Sequence, residues 1–429
     1  MALTQTQQQT LVETDRGTPM GELFRRYWIP AMLARELPEP DCDPVQIRLL
    51  GESLLAFRDT KGAFGLIQEF CPHRGVSLFY GRNEECGIRC SYHGWKFDVD
   101  GRCVDMPSEP DESNFKDKVK ITAYPLIERG GVLWAYMGPA DKKPVEPELE
   151  WALLPASHRY VSKRVQECNY LQALEGGIDS SHVSTLHRFN LDDDPMHVGS
   201  GGNVYLKADT RPKFEVQDSH SGLLIGAKRS ADDANDYWRI TPFIMPWYTI
   251  IPPFGHNAIG AHAFVPMDDE NCWTWSINYD PVRPLTTEEV AAMDAGMGIH
   301  VEYIPGTFYP KANRENHFLI DRAAQKSKKS FSGVKGISMQ DASLQESMGR
   351  IQDRTNERLG TSDAAIIAAR RTLLRAAESL SDEGKPPLGL DKAAQYVRSA
   401  SLLIPKGVPF AEGAAEALRA QPGKPFVSV

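Results

Sequence analysis

Four residues constrain this chain more than any other feature: Cys71, His73, Cys90 and His93, spaced C-x-H-x16-C-x2-H. Cys71-Pro-His73-Arg-Gly75 and Cys90-Ser-Tyr-His93-Gly94-Trp95 each carry one thiol and one imidazole in a short glycine-containing run. Two such runs on facing loops converge four ligands on one point. Thiolates suit iron–sulfur clusters. Two thiolates on one iron and two imidazoles on the other make a [2Fe–2S] centre of raised potential, because neutral rings replace negative sulfurs. Pro72, Gly75 and Gly94 suit loops whose backbone packs close to a cluster. A structural zinc knuckle would accept the same donors, but the ordered spacing inside a β-rich stretch favours the cluster. Cys42, Cys86, Cys103, Cys168 and Cys272 lack such pairing, and seven cysteines in 429 residues do not read as a disulfide scaffold.

The chain is long enough for two domains. A short helix is expected over 20–30, ended by Pro30. From about Pro44 to Pro139, β-rich runs at 45–50, 53–58, 64–68, 96–99 and 132–136 alternate with turn signals at 59–62 and 98–101. A Pro- and charge-rich linker covers 139–148. Beyond it, strands are expected at 160–169, 203–217, 222–229, 236–251, 258–266 and 272–278, with a helical piece at 169–187. Helices follow at 287–300, 340–359, 363–381 (capped by Ser362 or Asp363) and 391–402. The fold class is therefore α+β: an N-terminal helical segment over 1–44 that packs with the second domain, a small all-β domain over 45–155, and a larger domain over 156–429 of antiparallel sheet with flanking helices.

A second constellation lies in the helical piece: Asp179, His182 and His187, a D-x2-H-x4-H pattern. Two histidines and one carboxylate on one face leave coordination positions open, the arrangement that binds Fe(II) and activates O2. A five-residue separation does not stack two histidines on a regular helix, so a local irregularity is needed. Net charge is −9 and the pI about 5.7, which speaks against a nucleic-acid or anionic-membrane partner. No apolar run approaches the ~20 residues of a membrane helix. The polar N-terminus lacks the features of a signal peptide, so a cytoplasmic location is expected.

The joint pattern resembles the Rieske non-haem iron ring-hydroxylating oxygenases, specifically their oxygenase (alpha) component. The 17–21, 174–184 and 345–363 segments look like the phthalate-dioxygenase branch, so the resemblance spans nearly the whole chain. It implies a Rieske [2Fe–2S] cluster held by Cys71, His73, Cys90 and His93, and a mononuclear Fe(II) held by His182, His187 and an acid on a late helix. Asp341, Glu346 and Asp353 are the candidates, and the resemblance favours Asp341. It also implies a larger domain of the helix-grip type. Asp179 would bridge His182 to a cluster histidine of a neighbouring subunit in a homotrimer or stacked hexamer; an N-cap role is the simpler alternative. Electrons would come from a separate NADH-dependent flavin and iron–sulfur reductase, since no dinucleotide fingerprint or plant-type cysteine spacing is present here.

The implied reaction is dihydroxylation of an aromatic carboxylate, phthalate or a substituted benzoate, by O2 in aromatic catabolism. A Rieske monooxygenase or O-demethylase has the same ligands, and an electron-transfer Rieske protein is the remaining alternative. A buried carboxylate wants a cation: Lys207, Arg211, Lys228, Arg229 and Arg239 are candidates. The loops 188–203 and 322–336 flank the expected iron and are candidate gates.

Overall fold

The computed structural model describes residues 3–429. The expected small β domain consists of two four-stranded antiparallel sheets. One runs Val45–Leu49, Glu52–Arg58, Phe64–Gln68, Ala123–Tyr124; the other Arg82–Glu84, Gly87–Arg89, Lys96–Phe97, Cys103–Asp105. Their shared core holds Leu55, Phe57, Ile67, Ile88, Trp95 and Phe97, together with Cys71 and Cys90. The turns at 59–62 and 98–101 form as expected: the Gly62 and Gly101 N–H groups donate to the Asp59 and Asp98 carbonyls at 2.8 and 2.9 Å.

The larger domain is an eight-stranded, wholly antiparallel sheet. Its order is Arg159–Gln166, Cys272–Tyr279, Ile259–Pro266, Tyr248–Ile251, Asn235–Ile244, Gly222–Ser230 and Lys213–Asp218, with Ala400–Pro405 added to Asn235–Ile244. Every residue of Cys272–Tyr279 is buried, so both faces of this strand are covered. Its hydroxyl and amide side chains are accordingly bonded: Thr274 donates to Gln166 Oε1, Ser276 to the Ile299 carbonyl, and Asn278 Oδ1 meets His300 Nε2. The helix Tyr170–Ile178 crosses the sheet at Ile259–Pro266 and meets the helix Ile337–Ser347. Gly176 and Gly177 permit this approach: a Cβ at Gly177 would come within 2.7 Å of the Phe264 ring, and one at Gly176 within 2.1 Å of Gln345 Nε2. The long helix Ala364–Glu383 packs on Lys213–Asp218 and on the N-terminal helices Gln5–Val12 and Pro19–Phe24.

Several elements differ from expectation. The helix at 20–30 is only Pro19–Phe24, and Pro30 lies inside the strand Trp28–Leu33, which pairs with Val132–Tyr136 and shifts register between Pro30 and Met32. An irregular edge strand tolerates a residue without an N–H. The 1–44 segment is thus not helical throughout, and its strand joins a sheet with the end of the β-rich region. The 203–217 region opens as a helix, Asn203–Ala208, before the strand Lys213–Asp218, with Pro212 at the break. Of the helix expected over 391–402 only Lys392–Gln395 forms, and its end enters the strand Ala400–Pro405, because a short apolar run reads equally as either. The 340–359 helix spans Ile337–Ser347 and stops before Gly349, at φ +98°. The 287–300 helix ends at Asp294, close to Gly296 at φ +78°. Asp363 begins the long helix without a side-chain cap; its carboxylate accepts from the Gly360 N–H instead.

Candidate metal centres and the cavity between sheet and helices

The two Cys/His runs fold as the same turn. The Cys71 N–H donates to the Val76 carbonyl and the Gly75 N–H to the Cys71 carbonyl, both at 2.9 Å. Five residues along from its own cysteine, Trp95 repeats the role of Val76: the Cys90 N–H donates to the Trp95 carbonyl at 2.8 Å, and the Gly94 N–H to the Cys90 carbonyl at 3.0 Å. Gly75 and Gly94 stand at φ +73° and +79°, where a side chain would be strained. Both thiols are buried, whereas His73 is exposed and His93 half-buried. The two rings lie 4.4 Å apart, centre to centre, and Trp95 stacks on His73 at 4.5 Å. Burial pushes the Cys71 thiol up to about 11, and the adjacent Cys90 adds to the rise. Sulfur below and imidazole above is the donor set that a [2Fe–2S] cluster of this type requires.

The second site is assembled from three separate pieces. The helix Tyr170–Ile178 stops before either histidine, and a 3₁₀ turn, His182–Ser184, follows. This break aims both rings at the helix Ile337–Ser347. His182 Nε2 lies 3.5 Å and His187 Nε2 3.1 Å from Asp341 Oδ1, and the three donor atoms all fall within 4.8 Å of one another. Each ring is held from behind. His182 Nδ1 donates to Asp179 Oδ2 at 3.2 Å, and His187 Nδ1 to Gln340 Oε1 at 2.7 Å. Both Nδ1 positions therefore carry a proton, and both Nε2 atoms, the ones left to bind a metal, face Asp341. Two imidazoles and a carboxylate on one side of a point, with a cavity on the other, fit an iron with open coordination positions.

The electrostatics follow. Burial lowers His182, but the Asp179 hydrogen bond and the Asp341 and Asp179 charges outweigh it and raise the ring to about 9. Burial raises Asp179, yet the His182 and Ser181 hydrogen bonds bring it down to about 2. Asp341 is pushed up by burial and brought below the ordinary carboxylate range by His187 and His182.

Asp179 does not cap the next turn. It closes the preceding helix, and its Oδ1 accepts from the Ser181 N–H at 2.7 Å and hydroxyl at 2.5 Å. Its side chain remains 20% exposed. Glu346 is buried elsewhere, accepting from the Glu167 N–H and lying 3.9 Å from Arg314. Asp353 caps the turn Arg354–Asn356. Of the nearby arginines, Arg350 pairs with Glu167 and Arg354 with Glu175.

A cavity with about 830 Å³ of space between atoms opens from this triad, along the sheet. Of the five sheet cations considered, only Arg239 lines it. Lys207 and Lys228 pair with Asp192 and Glu215, Arg211 is exposed, and Arg229 is buried against the Ser180 and Asp209 carbonyls. Arg239 is 2% exposed and lies 4.2 Å over the Phe254 ring. It donates to the Pro252 carbonyl, while Nε and Nη1 have no partner among the described residues.

Sequence reasoning passed over Arg164, His197, His262 and Gln340. Arg164 and His262 also line the cavity, and burial pushes His262 down to about 4, so it is neutral at pH 7. A signal exists for His262: a polar residue inside an apolar run such as Ala261-His262-Ala263 demands a partner or a function, whereas Arg164 stands among the polar residues Ser162, Lys163 and Gln166. Gln340 joins the two candidate gating loops to the triad, since its amide also donates to Asn190 Oδ1 and the Val334 carbonyl. Of those loops, 188–203 lends Leu191 and His197 to the cavity wall, whereas 322–336 lends none.

Comparison with known proteins agrees with this architecture. Residues 27–125 match the Rieske [2Fe-2S] domain model and residues 135–422 the LigXa C-terminal domain like model. The oxygenase subunit of 3-chlorobenzoate-3,4-dioxygenase from Comamonas testosteroni is 40% identical, over 95% of this chain and 96% of its own. That of phthalate 4,5-dioxygenase from Pseudomonas putida is 41% identical, over 85% and 84%. A solved oxygenase–ferredoxin complex of carbazole 1,9a-dioxygenase shares the fold, with a TM-score of 0.54 and 20% identity over 86% of this chain and 93% of that one. This chain belongs to the Rieske non-haem iron oxygenases. Within that family it is an oxygenase subunit of the ring-hydroxylating kind, an oxidoreductase with a Rieske [2Fe–2S] cluster and a mononuclear non-haem iron. No described helix is long and apolar enough to cross a membrane.

Proposed function

We propose that this subunit dihydroxylates an aromatic carboxylate, with His182, His187 and Asp341 holding the mononuclear iron and Cys71, His73, Cys90 and His93 the cluster. The observation that carries the reading is one cavity with the triad in its wall and a buried, incompletely bonded Arg239 beside Phe254. When bound, the iron supplies reductive activation of O2. The chain's own residues do the rest. Arg239 takes the substrate carboxylate through N–H groups that are otherwise unfilled, a charge-assisted bond in a site shielded from water. Phe254 and Phe264 give the ring apolar walls. Gln340 and Asp179 keep the Nδ1 protons in place and so hold both imidazoles in the tautomer that binds metal.

Asp179 also reaches the surface, as does His73. In a homotrimer or stacked hexamer, Asp179 of one subunit accepts a hydrogen bond from a cluster histidine of the next, so that an electron crosses between chains. The supply is a separate NADH-dependent flavin and iron–sulfur reductase in the cytoplasm. The two relatives, named for 3-chlorobenzoate and phthalate, support an acid as the substrate.

The test is a single turnover. Reduced, iron-loaded protein is freed of reductant and given 18O2 with a panel of substituted benzoates, and products are read by mass spectrometry. Two labelled oxygens in one product are expected. One labelled oxygen, or release of formaldehyde, overturns dihydroxylation, and no product from any acid overturns the carboxylate reading. Asp179→Asn should keep both metals and lower steady-state turnover by about 10- to 100-fold; unchanged turnover would remove Asp179 from electron transfer.

A further inference from the structure

The helix Ile337–Ser347 presents residues to two separate spaces. Ser338, Asp341 and Gln345, three and four residues apart, face the iron cavity. On another side of the helix, Leu344 faces a larger groove with about 1480 Å³ of space between atoms. Leu186, Phe318 and Phe331 give this groove apolar walls, and Arg314 and Arg322 stand in it. Phe331 is 55% and Leu344 45% exposed, so apolar surface is left open to solvent. Phe318 belongs to a left-handed turn: His317, Phe318 and Leu319 stand at φ +52°, +53° and +51°. L residues adopt this conformation at a steric cost. Such backbone persists where its surroundings hold it, and it gathers at ligand clamps. Here Phe318 and Ile320 pack against the buried Val334 and Ala342, the latter on the same helix as Asp341.

The groove lies in a basic stretch of an acidic chain. From Lys311 to Lys335 there are seven Lys and Arg and two Asp and Glu, against a net charge of −9 for the whole chain. Of the seven, only Lys311 and Arg314 have a carboxylate partner among the described residues. Arg314 spends Nη2 on the Glu167 and Glu346 carbonyls at 3.2 and 2.7 Å. Its Nε is buried without a hydrogen bond and lies 3.9 Å from the Glu346 carboxylate. Burial pushes that carboxyl up, which weakens it as a counter-ion. Arg322 donates to Gln325 Oε1 at 2.8 Å and pairs with no acid among the described residues. Two guanidinium groups beside two phenylalanine rings suit an anion with an aromatic body. A cleft lined by one sign of charge also raises the local concentration of the opposite ion. The iron cavity uses the same pairing of cation and ring, at Arg239 and Phe254.

We propose that this groove is a second, outer binding site for an aromatic carboxylate, which gathers the anionic substrate at the protein surface. This rests on the carboxylate reading above and deepens it. Arg314 and Arg322 hold the carboxylate, and Phe318 and Phe331 cover the ring. The helix Ile337–Ser347 separates the two sites, so one chain holds an acid in each at the same time.

The experiment is equilibrium dialysis of the iron-loaded holoenzyme, without O2, against radiolabelled 3-chlorobenzoate at low salt. Iron and cluster contents and the elution volume of each variant report that the fold and assembly are intact. Wild type should bind about two molecules per chain. Arg322→Gln and Leu344→Glu, both at exposed positions, should weaken one of them by at least about fivefold, the scale of one surface charge, and change the other by less than about twofold. Raising the salt about tenfold should weaken that same molecule more than the other, whose charges are shielded. Arg239→Gln should weaken only the other. One molecule per chain, lost in Arg239→Gln and indifferent to the groove substitutions, overturns the inference and leaves the carboxylate reading standing. One molecule, sensitive to the groove substitutions and indifferent to Arg239→Gln, keeps the groove and overturns Arg239 as the substrate's anchor. A changed oligomeric state in Leu344→Glu, with both molecules still bound, assigns the groove to a second copy of the chain and overturns the inference. No bound acid in wild type overturns both readings.

Discussion

The two metal regions are built by opposite means. At Cys71–Gly75 and Cys90–Gly94, the local turn does the placing: each loop closes on itself through the same pair of backbone hydrogen bonds, and its ligands come with it. At the mononuclear site no turn contains the answer. His187 and its support Gln340 are 153 residues apart, and their meeting depends on two helices packing through Gly176 and Gly177. The difference teaches that the first site answers to substitutions within a few residues, while the second answers to the packing of the whole larger domain.

The most severe break separates the two sites. Asp341→Ala should abolish turnover and mononuclear iron while the visible absorbance of the cluster persists; Cys71→Ser should do the reverse to the metals. Stoichiometric mononuclear iron in Asp341→Ala, by metal analysis, would remove Asp341 from the ligand set.

Next comes the scaffold. Glu175, one turn before Asp179, lies between the buried Arg354 and Arg370, with ion-pair distances of 3.1 and 2.6 Å. Glu175→Gln leaves two buried guanidinium groups short of charge and should cost about 3–5 kcal/mol by denaturant unfolding. It should also loosen the triad far more than the cluster. Burial raises Glu175, but the two arginines bring it net below its ordinary range. Its stabilisation is therefore fully present above the unfolded carboxyl value, about 4.3, and is lost as pH falls through the lower folded value. The stability gap between wild type and Glu175→Gln should accordingly be constant near neutrality and narrow in acid. A gap that widens in acid would contradict the assignment.

A smaller effect sharpens the comparison. Gln340→Ala removes the acceptor behind His187, together with the amide's bonds to Asn190 and Val334, and should weaken iron binding about 10- to 100-fold, with cluster content unchanged. Competition with a chelator measures this, and an unaltered affinity would show that packing alone orients the ring. The smallest change is at Asp353, which caps a surface turn. Asp353→Ala should cost about 1 kcal/mol and leave iron content at the wild-type level; loss of iron there would reopen the choice of acid.

Legibility follows the same division. The cluster ligands could be read directly, because four donors within 23 residues leave few ways to fold around them. The strands of the larger sheet were also readable where polar and apolar residues mark their ends, as at Cys272–Tyr279. Reading failed where a short apolar stretch suits two structures. The opening of Ala400–Pro405 reads as the end of a helix over 391–402, and only its pairing with Asn235–Ile244 makes it a strand. Pro30 looked like a stop signal, and only an irregular edge pairing admits it.

By itself the sequence determined the metal donors at the cluster, the two histidines of the second site, and a short set of acids that could complete it. Residue type and spacing decide these, because coordination chemistry is local. The resemblance favours Asp341, but tertiary structure brings it, and not Glu346 or Asp353, to the histidines, and tertiary structure alone decides that Gln340 supports one of them and that Arg239, His262 and His197 share a cavity. These groups lie on different strands, helices and loops. Their convergence is a property of how the sheet and helices pack, which no local spacing along the chain encodes.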